Sequence, residues 1–377
     1  MVGGALPPSA GGLLLMILYV CNSSHGFGHG SRTAAVLAEL AARRPEWRLV
    51  VSSGLPDAFL DLAYGPVRHE RRSCRWDVGM VQSQALGCDP TATLVALEEL
   101  ERQLPARIAA EAAWIAAQAE PVLVLADVPP AAALLAQQLG APLAWLASFG
   151  WDAIYGPLGG AFVPWARRCA ELYRRGDLLI RCPLALPMPW GVEERVVGIT
   201  ASRPRLDADA LARELRLPSE RDQVVLISFG GLGLPLDPAL LQRWPDHVFI
   251  GPDPALASMA NGRVLPPGCR PLDLMPVAGR LITKPGYSSF CEAFSQGVGL
   301  HVVQRRDGFA EAPVLEEALQ DHGLHQLLSP EELLAGEWRL DRPLLPPRRG
   351  ALALQGEARA AELLIDLAER RISRSDR

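Results

Sequence analysis

Residues 14–32 read LLMILYVCNSSHGFGHGSR, and this stretch decides the fold class. The apolar run Leu14–Cys21 predicts a buried β-strand, and the turn after it, rich in Gly and His, leads into a helix with its apolar residues on one face. A second strand is predicted at Arg48–Ser53. The chain therefore begins as a βαβ unit of a parallel sheet.

Strands and helices continue to alternate along both halves of the chain. We predict further strands at Pro121–Ala126, Leu143–Ala147, Val224–Phe229, Val248–Gly251 and Arg280–Thr283. A helix is predicted over Arg107–Gln118, and the proline-rich stretch 182–191 predicts an extended linker. We therefore expect two doubly wound α/β domains, residues 1–190 and 191–377, with a ligand-binding cleft facing the carboxyl ends of both sheets.

Composition argues against several classes of protein. The 377 residues are 49% hydrophobic and 21% charged, which allows large cores. The net charge is −5 and the basic residues do not cluster with aromatic residues, so we expect no nucleic-acid binding. The apolar run Leu13–Cys21 is too short to span a bilayer and has no basic flank before it, so it predicts no signal peptide. Seven cysteines without a C-x-x-C pair argue against a disulfide framework, and we expect a cytoplasmic protein.

The turn after the first strand departs from the dinucleotide-binding pattern. Residues 26–31, GFGHGS, lack the last glycine of G-x-G-x-x-G, and the second strand ends in Ser52-Ser53, where a ribose-binding acid is expected. What remains is a helix N-terminus that carries His25 and His29 and attracts anions or polar groups. The alternative is a tight turn whose histidines only hydrogen-bond the loop.

Asp127 follows the predicted strand Pro121–Ala126, at the rim of the same sheet. A carboxylate there could hold an imidazole in one tautomer and stabilise its charged form, which makes Asp127 and a histidine of the turn a candidate dyad. The alternative is that Asp127 caps the next helix.

The second half carries two glycine-containing turns that suit a phosphate. Gly230 and Gly231 follow a strand and let a ligand approach the backbone. The stretch 282–292, ITKPGYSSFCE, is more specific. It holds the single lysine of the chain, Lys284, at a strand end, and a turn at Gly286.

The helix that follows this turn begins with two serines, Ser288 and Ser289, and its free amides and the two hydroxyls suit a diphosphate. Glu292 lies one turn further on, where a carboxylate can accept hydrogen bonds from two vicinal ribose hydroxyls. Helix capping by Glu292 is the alternative.

Two segments of the first half are candidates for an acceptor pocket. Residues 76–82, WDVGMVQ, and the pair Trp151-Asp152 are both predicted to follow strands. Core packing is the alternative for the tryptophans. Residues 162–175 mix aromatic residues with arginines, which allows peripheral contact with a membrane surface, although a buried helix with solvated arginines is favoured.

Metal binding has little support in the sequence. The D-x-D pair, Asp207 and Asp209, lies at a predicted helix start, where capping explains it. We therefore predict no metal and no other cofactor.

Several segments, in order along the chain, resemble GT-B glycosyltransferases, and more closely the glycosyltransferase-like amino-terminal domain of plant-type L-arabinokinases. The segments are residues 26–29 with Arg32, 76–82, 126–129, 148–152, 229–231, 284–287, and 305–309 with Glu311. The resemblance implies two Rossmann-like domains facing across a cleft, the first for the acceptor and the second for the donor. The kinase domain of the arabinokinases would need further chain, so we expect no arabinokinase activity.

The resemblance implies a metal-independent, inverting hexosyl transfer from a nucleotide diphosphate sugar, with a UDP-sugar as the first candidate, to a hydroxyl acceptor. It implies His29 as general base, Asp127 as the residue that orients it, and His25 as a second candidate base. The implied donor-binding residues are Gly230, Gly231, Lys284, Gly286, Tyr287, Ser288, Ser289, Glu292 and Glu311. The implied acceptor-binding residues are Asp77, Gln82, Trp151 and Asp152.

Two other functions stay open on the sequence. A noncatalytic sugar-nucleotide sensor would keep Ser288, Ser289 and Glu292 but would need neither His29 nor Asp127. A nucleotide-sugar epimerase would bind UDP without a separate acceptor. A His29–Asp127 hydrogen bond would favour an enzyme.

Overall fold

A computed structural model of the chain describes residues 15–84, 87–230 and 236–375. The strands in chain order are β1 Ile17–Asn22, β2 Arg48–Ser53, β3 Glu70–Ser73, β4 Gln82–Gln84, β5 Gly87–Cys88, β6 Val122–Asp127, β7 Leu143–Ala147, β8 Leu178–Arg181, β9 Glu193–Val196, β10 Val224–Ile227, β11 Val248–Gly251, β12 Gly262–Val264, β13 Arg280–Thr283, β14 Gly299–Val303 and β15 His325–Leu328. The α-helices are α1 Phe27–Arg43, α2 Asp57–Tyr64, α3 Pro90–Ala116, α4 Ala132–Leu139, α5 Trp151–Tyr155, α6 Val163–Tyr173, α7 Ala208–Leu215, α8 Pro271–Leu274, α9 Tyr287–Gln296, α10 Glu311–His322, α11 Pro330–Leu334 and α12 Gly356–Ser375.

The first sheet is parallel, in the order β3-β2-β1-β6-β7-β8-β9. Every residue of β1 is buried because helices cover both faces of the sheet, which is why this strand is continuously apolar. The chain leaves β1 toward β2 and leaves β6 toward β7, in opposite directions. The crevice between the carboxyl ends of β1 and β6 is therefore a topological switch point, where such sheets bind ligands.

The second sheet is also parallel, in the order β12-β11-β10-β13-β14-β15. Its switch point lies between the carboxyl ends of β10 and β13. The two predicted α/β sheets are thus both present, and each places a switch point beside the loops that the sequence singled out. Strands β4 and β5 pair antiparallel in a separate two-stranded sheet.

The chain crosses between the two sheets more than once. Strand β9 lies beyond residue 190 yet pairs with β8 in the first sheet. Helix α12, near the end of the chain, packs back against α1, and Arg43 Nη1 lies 3.0 Å from Glu362 Oε1 between these helices. The expected division at residue 190 stays a prediction, but the first sheet continues past it.

Helix α3 is longer than the predicted helix Arg107–Gln118, because Pro105 does not end it. A proline inside a helix costs about 3 kcal/mol, but Leu97, Leu104 and Ile108 recur at helical spacing and are buried. Their packing outweighs that cost. Asp207 caps α7, and its Oδ1 accepts from the amides of Asp209 and Ala210, which confirms the capping interpretation of this D-x-D pair. Within the described residues, no helix has the length and apolar character needed to cross a membrane.

Candidate functional site

The switch point of the first sheet holds a histidine and an aspartate in hydrogen-bond contact. His29 lies on the first turn of α1 and Asp127 ends β6, and His29 Nδ1 is 2.8 Å from Asp127 Oδ1. Arg32 binds both carboxylate oxygens, with Nε 2.9 Å from Oδ2 and Nη2 2.5 Å from Oδ1. Thr33 Oγ1 donates to Oδ2 at 2.9 Å. Both oxygens of this buried carboxylate are therefore satisfied within the chain.

Asp127 is ionised although it is buried. Burial by itself raises the pKa of Asp127, but the charge of Arg32 and the hydrogen bonds from Arg32 and His29 outweigh burial and hold the pKa below its ordinary value. An ionised carboxylate only accepts hydrogen bonds, so it fixes the His29 proton on Nδ1. Nε2 of His29 is then left as a proton acceptor.

His25 has the opposite tautomer. The amide of Met80 donates to His25 Nδ1 at 3.2 Å, so Nε2 carries the proton. Burial lowers the pKa of His25 to about 3, with smaller contributions from His29 and Arg305. His25 is therefore neutral and can donate from Nε2, but it cannot accept a proton there. Its ring packs edge-on against Trp151 and parallel to Phe309 of the second domain.

Two contacts join the turn of the first domain to the start of α9 in the second. Ser288 Oγ donates to the carbonyl oxygen of Gly28 at 2.7 Å. The Arg32 guanidinium carbon lies 4.9 Å from the centre of the Tyr287 ring, and the Tyr287 hydroxyl is 2.8 Å from Thr200 Oγ1. The structure thus brings Ser288 and Tyr287, predicted on the donor side, against the turn that carries His29.

The start of α9 is a positively polarised end of a helix. Gly286 is its N-cap residue and makes no side-chain cap, and half-buried Ser289 lies on the first turn. Lys284 is half-buried before the turn, and burial lowers its pKa, helped by the nearby charge of Arg305. Gly230, which follows β10, has a φ of +74°, a conformation that favours glycine. Gly231 lies outside the described residues.

Two carboxylates of the second domain are desolvated. Burial raises the pKa of Glu292 on α9 to about 7, with Arg270 lowering it and Asp273 raising it. Glu311 begins α10, and burial raises its pKa although His29, Arg32 and Arg305 act to lower it. Among the described residues, Glu311 Oε1 has no hydrogen-bond partner. Glu311 therefore lies near His29 and Arg32 of the first domain, with one buried carboxylate oxygen that no group of the described residues satisfies.

The predicted acceptor residues are held by indole groups. Trp151 Nε1 donates to Asp77 Oδ2 at 2.9 Å, and Trp190 Nε1 donates to Asp152 Oδ2 at 3.0 Å. Burial raises the pKa of both carboxyls. Trp151 and Trp76 are buried, as the core-packing interpretation expects, and with Asp77 they line a narrow, largely apolar cavity of about 50 Å³.

Gln82 lies on β4 and pairs with Cys88 of β5. Arg305 of the second domain approaches that cysteine, with Nη2 3.5 Å from Sγ. This two-stranded sheet therefore borders the interface between the domains.

Sequence reasoning gave no role to Arg32, Thr33 or Ser148. Arg32 lies three residues after His29 and so on the same face of α1, which is the signal that could have found it. Ser148 follows β7, and its Oγ accepts from Arg32 Nη1 at 3.0 Å. Nothing in the sequence marks that contact.

Comparison with known proteins agrees with this architecture. The chain is similar to a UDP-glucosyltransferase from Polygonum tinctorium capable of glucosylating indoxyl, with a TM-score of 0.61 and 15% identity over 95% of this chain and 94% of that one. It is similar to CalG4, the calicheamicin glycosyltransferase, with a TM-score of 0.58 and 17% identity over 94% of each chain. The fold is GT-B.

A sequence relative of this GT-B chain is the L-arabinokinase of Arabidopsis thaliana, 28% identical over 335 residues and 86% of this chain. The chain spans only 31% of the length of that relative. No known family model matches the sequence. The expected resemblance to GT-B glycosyltransferases and to part of the arabinokinases is thus confirmed.

Proposed function

We propose that this chain transfers a hexosyl group from a nucleotide diphosphate sugar to a hydroxyl acceptor. The observation that carries the proposal is the meeting of the two switch points. The His29–Asp127 pair lies at one of them, the uncapped start of α9 at the other, and the Ser288–Gly28 hydrogen bond joins them. A base for an acceptor and an anion site for a donor are therefore adjacent.

On the acceptor side, His29 is the general base. Asp127 holds the proton on Nδ1 and stabilises the imidazolium that forms, while Nε2 takes the proton of the acceptor hydroxyl. His25 serves as a hydrogen-bond donor from Nε2 instead of a second base. The residues that shape the acceptor region in this proposal are Asp77, Gln82, Trp151 and Asp152.

On the donor side, the amides at the start of α9 bind the diphosphate, with Lys284 and Ser289. Gly230, with its positive φ and no side chain, allows the ligand close to the backbone. Glu292 accepts hydrogen bonds from the ribose and Glu311 from the sugar. UGT2 of Phytolacca americana, similar in fold with a TM-score of 0.58, 15% identity and 94% coverage of each chain, is complexed with UDP-2fluoro-glucose and pterostilbene, which makes a UDP-sugar the first donor to test.

The proposed reaction is a direct displacement. The acceptor oxygen bonds to the anomeric carbon as the bond from that carbon to the diphosphate oxygen breaks. His29 Nε2 takes the hydroxyl proton, and the electron pair of the broken bond leaves with the nucleoside diphosphate. The helix amides and Lys284 stabilise the charge on the leaving group, so no metal is part of the proposal, and the configuration at the anomeric carbon inverts.

Calorimetry with UDP and GDP, followed by a mass-spectrometric screen of sugar nucleotides with and without hydroxyl acceptors, tests the proposal. We expect binding of one nucleotide and a glycosylated product that needs an acceptor. Binding without any product would indicate the sensor, and a changed sugar nucleotide without acceptor would indicate the epimerase. A folded protein that binds neither nucleotide and changes no sugar nucleotide in the screen would contradict all three functions.

A further inference from the structure

Arg32 has an unusual set of contacts for a buried cation. The residue is 2% exposed and lies one turn after His29 on α1. Its Nε and Nη2 bind the two oxygens of Asp127, and its Nη1 donates to Ser148 Oγ at 3.0 Å. Each nitrogen of the guanidinium thus has a partner in the first domain.

These bonds fix the carboxylate that holds His29. A guanidinium fork fits a carboxylate through two parallel bonds, which sets the orientation of both groups. Asp127 Oδ1 receives both Arg32 Nη2 and His29 Nδ1. A shift of the guanidinium therefore moves the carboxylate, and the carboxylate moves the imidazole.

The other side of the same guanidinium faces the second domain. Its carbon lies 4.9 Å from the centre of the Tyr287 ring, within the range of a cation–π contact. Tyr287 is the first residue of α9, between Gly286 and Ser288 at the proposed diphosphate site. Its hydroxyl is 2.8 Å from Thr200 Oγ1, so the ring contacts residues on both sides of the cleft-facing helix start.

We propose that Arg32 is a positioning residue that couples donor binding at the start of α9 to the orientation of His29. The inference rests on the proposed function, because the donor is what moves or fixes α9. A nucleotide bound at this helix start fixes the position of the Tyr287 ring. The ring fixes the position of the Arg32 guanidinium, and the guanidinium fixes the orientation of Asp127 and His29.

Four variants test the coupling. Arg32→Lys keeps the positive charge but loses the paired hydrogen bonds to Asp127 and the planar guanidinium face that contacts the Tyr287 ring. Tyr287→Leu removes the ring, while Tyr287→Phe keeps it. Arg72→Lys is the matched control, because Arg72 also forks a buried carboxylate, Glu111, and lies 4.2 Å over an aromatic ring, Trp114, but in a part of the first domain outside the contacts described above.

UDP calorimetry gives the first measurement. Arg32→Lys and Tyr287→Leu should each weaken UDP binding, and the double variant should bind no worse than either one, a non-additivity of about tenfold, typical of residues in contact. Tyr287→Phe should retain the coupling. Arg72→Lys should bind UDP like the wild type even if it melts at a lower temperature.

Nuclear magnetic resonance of protein labelled with ¹⁵N-histidine gives a second measurement that needs no ligand. Tyr287→Leu should shift the His29 ring nitrogens in the wild-type background and leave them unchanged in the Arg32→Lys background. Additive losses in UDP binding, or His29 ring-nitrogen signals that do not change in Tyr287→Leu, would overturn the coupling. Failure of the wild type to bind UDP would instead count against the proposed UDP donor, and the ligand-free signals would still decide the role of Arg32.

Discussion

The two switch points differ in whether the chain itself supplies hydrogen-bond partners to their polar groups when no ligand is bound. At the first, Asp127 is buried and accepts from His29, Arg32 and Thr33. At the second, the N-cap residue of α9 supplies no side-chain cap, and the nearby carboxylate of Glu292 has its pKa raised by burial. One site is finished by the chain itself, and the other has groups that a ligand would satisfy.

The difference has a physical cause. A buried carboxylate without partners costs several kcal/mol, so the chain must supply cations and donors to Asp127 wherever the protein folds. A helix N-terminus at a cleft can remain polarised, because water or an anion satisfies its amides. The hydrogen bonds of the first site are therefore complete within the chain before binding, whereas those of the second are completed by the donor. Arg32, in contact with Asp127 and Tyr287, is the proposed link through which the second site affects the orientation of His29.

Replacing His29 should have the largest effect on turnover. His29→Ala removes the proposed base, so turnover should fall by about 10²–10⁴-fold, the usual range for a general base, while UDP affinity stays unchanged. Steady-state kinetics with the donor and acceptor found by the screen, together with calorimetry, measure both quantities. His322→Ala, at the far end of α10, is the control histidine. Unchanged turnover in His29→Ala would remove the base assignment.

Replacing Glu292 should weaken UDP binding at the second switch point and leave the His29–Asp127 site unchanged. Glu292→Ala removes charge-assisted hydrogen bonds of about 1.5–3 kcal/mol, so UDP binding should weaken by about one to two orders of magnitude. Calorimetry measures the loss, and Glu292→Gln, which keeps the shape and one acceptor, should lose less. Equal affinities in wild type and Glu292→Ala would take Glu292 out of the donor site.

The affinity for UDP should also depend on pH through Glu292. Burial raises the pKa of this carboxyl to about 7, and only the ionised form offers all its oxygens to the ribose. Affinity should therefore fall as the pH falls below 7, by up to about tenfold per pH unit for a single proton. Calorimetry across this range compares the wild type with Glu292→Gln, in which UDP and the other groups of the site still titrate but residue 292 does not. Parallel pH profiles would contradict the assignment.

Several strands with apolar runs could be predicted from the sequence, although the apolar strands β8 and β14 were not, and the charged edge strands could not be predicted. The bounds of β2, β7, β11 and β13 agree with the predicted ranges, because each is an apolar run between turn signals. Strands β3, ERRS, and β9, EERV, lie at the two edges of the first sheet. Edge strands carry charged residues that discourage further pairing, so they lack the apolar signal.

The contacts of the candidate site also differ in whether the sequence could predict them. The contact of His29 with Asp127 follows from two strand ends at one switch point, which a sequence pattern can indicate. The Ser288–Gly28 bond and the bond from Trp151 to Asp77 depend on packing between segments far apart in the chain. Local patterns carry no information on such contacts.

The two serines at the start of α9 have different environments. One is already hydrogen-bonded to the first domain, and the other is expected to face the donor. Ser288 Oγ already donates to Gly28, so a diphosphate would exchange one bond for another, whereas half-buried Ser289 would add a bond. A neutral hydrogen bond contributes about 0.5–1.5 kcal/mol, so Ser289→Ala should weaken UDP binding by about two- to twelvefold and Ser288→Ala by less than about twofold. Calorimetry on the two isosteric variants makes the comparison. The reverse order would mean that the bond from Ser288 to the diphosphate is stronger than its bond to Gly28, and that donor binding therefore breaks this link between the two switch points.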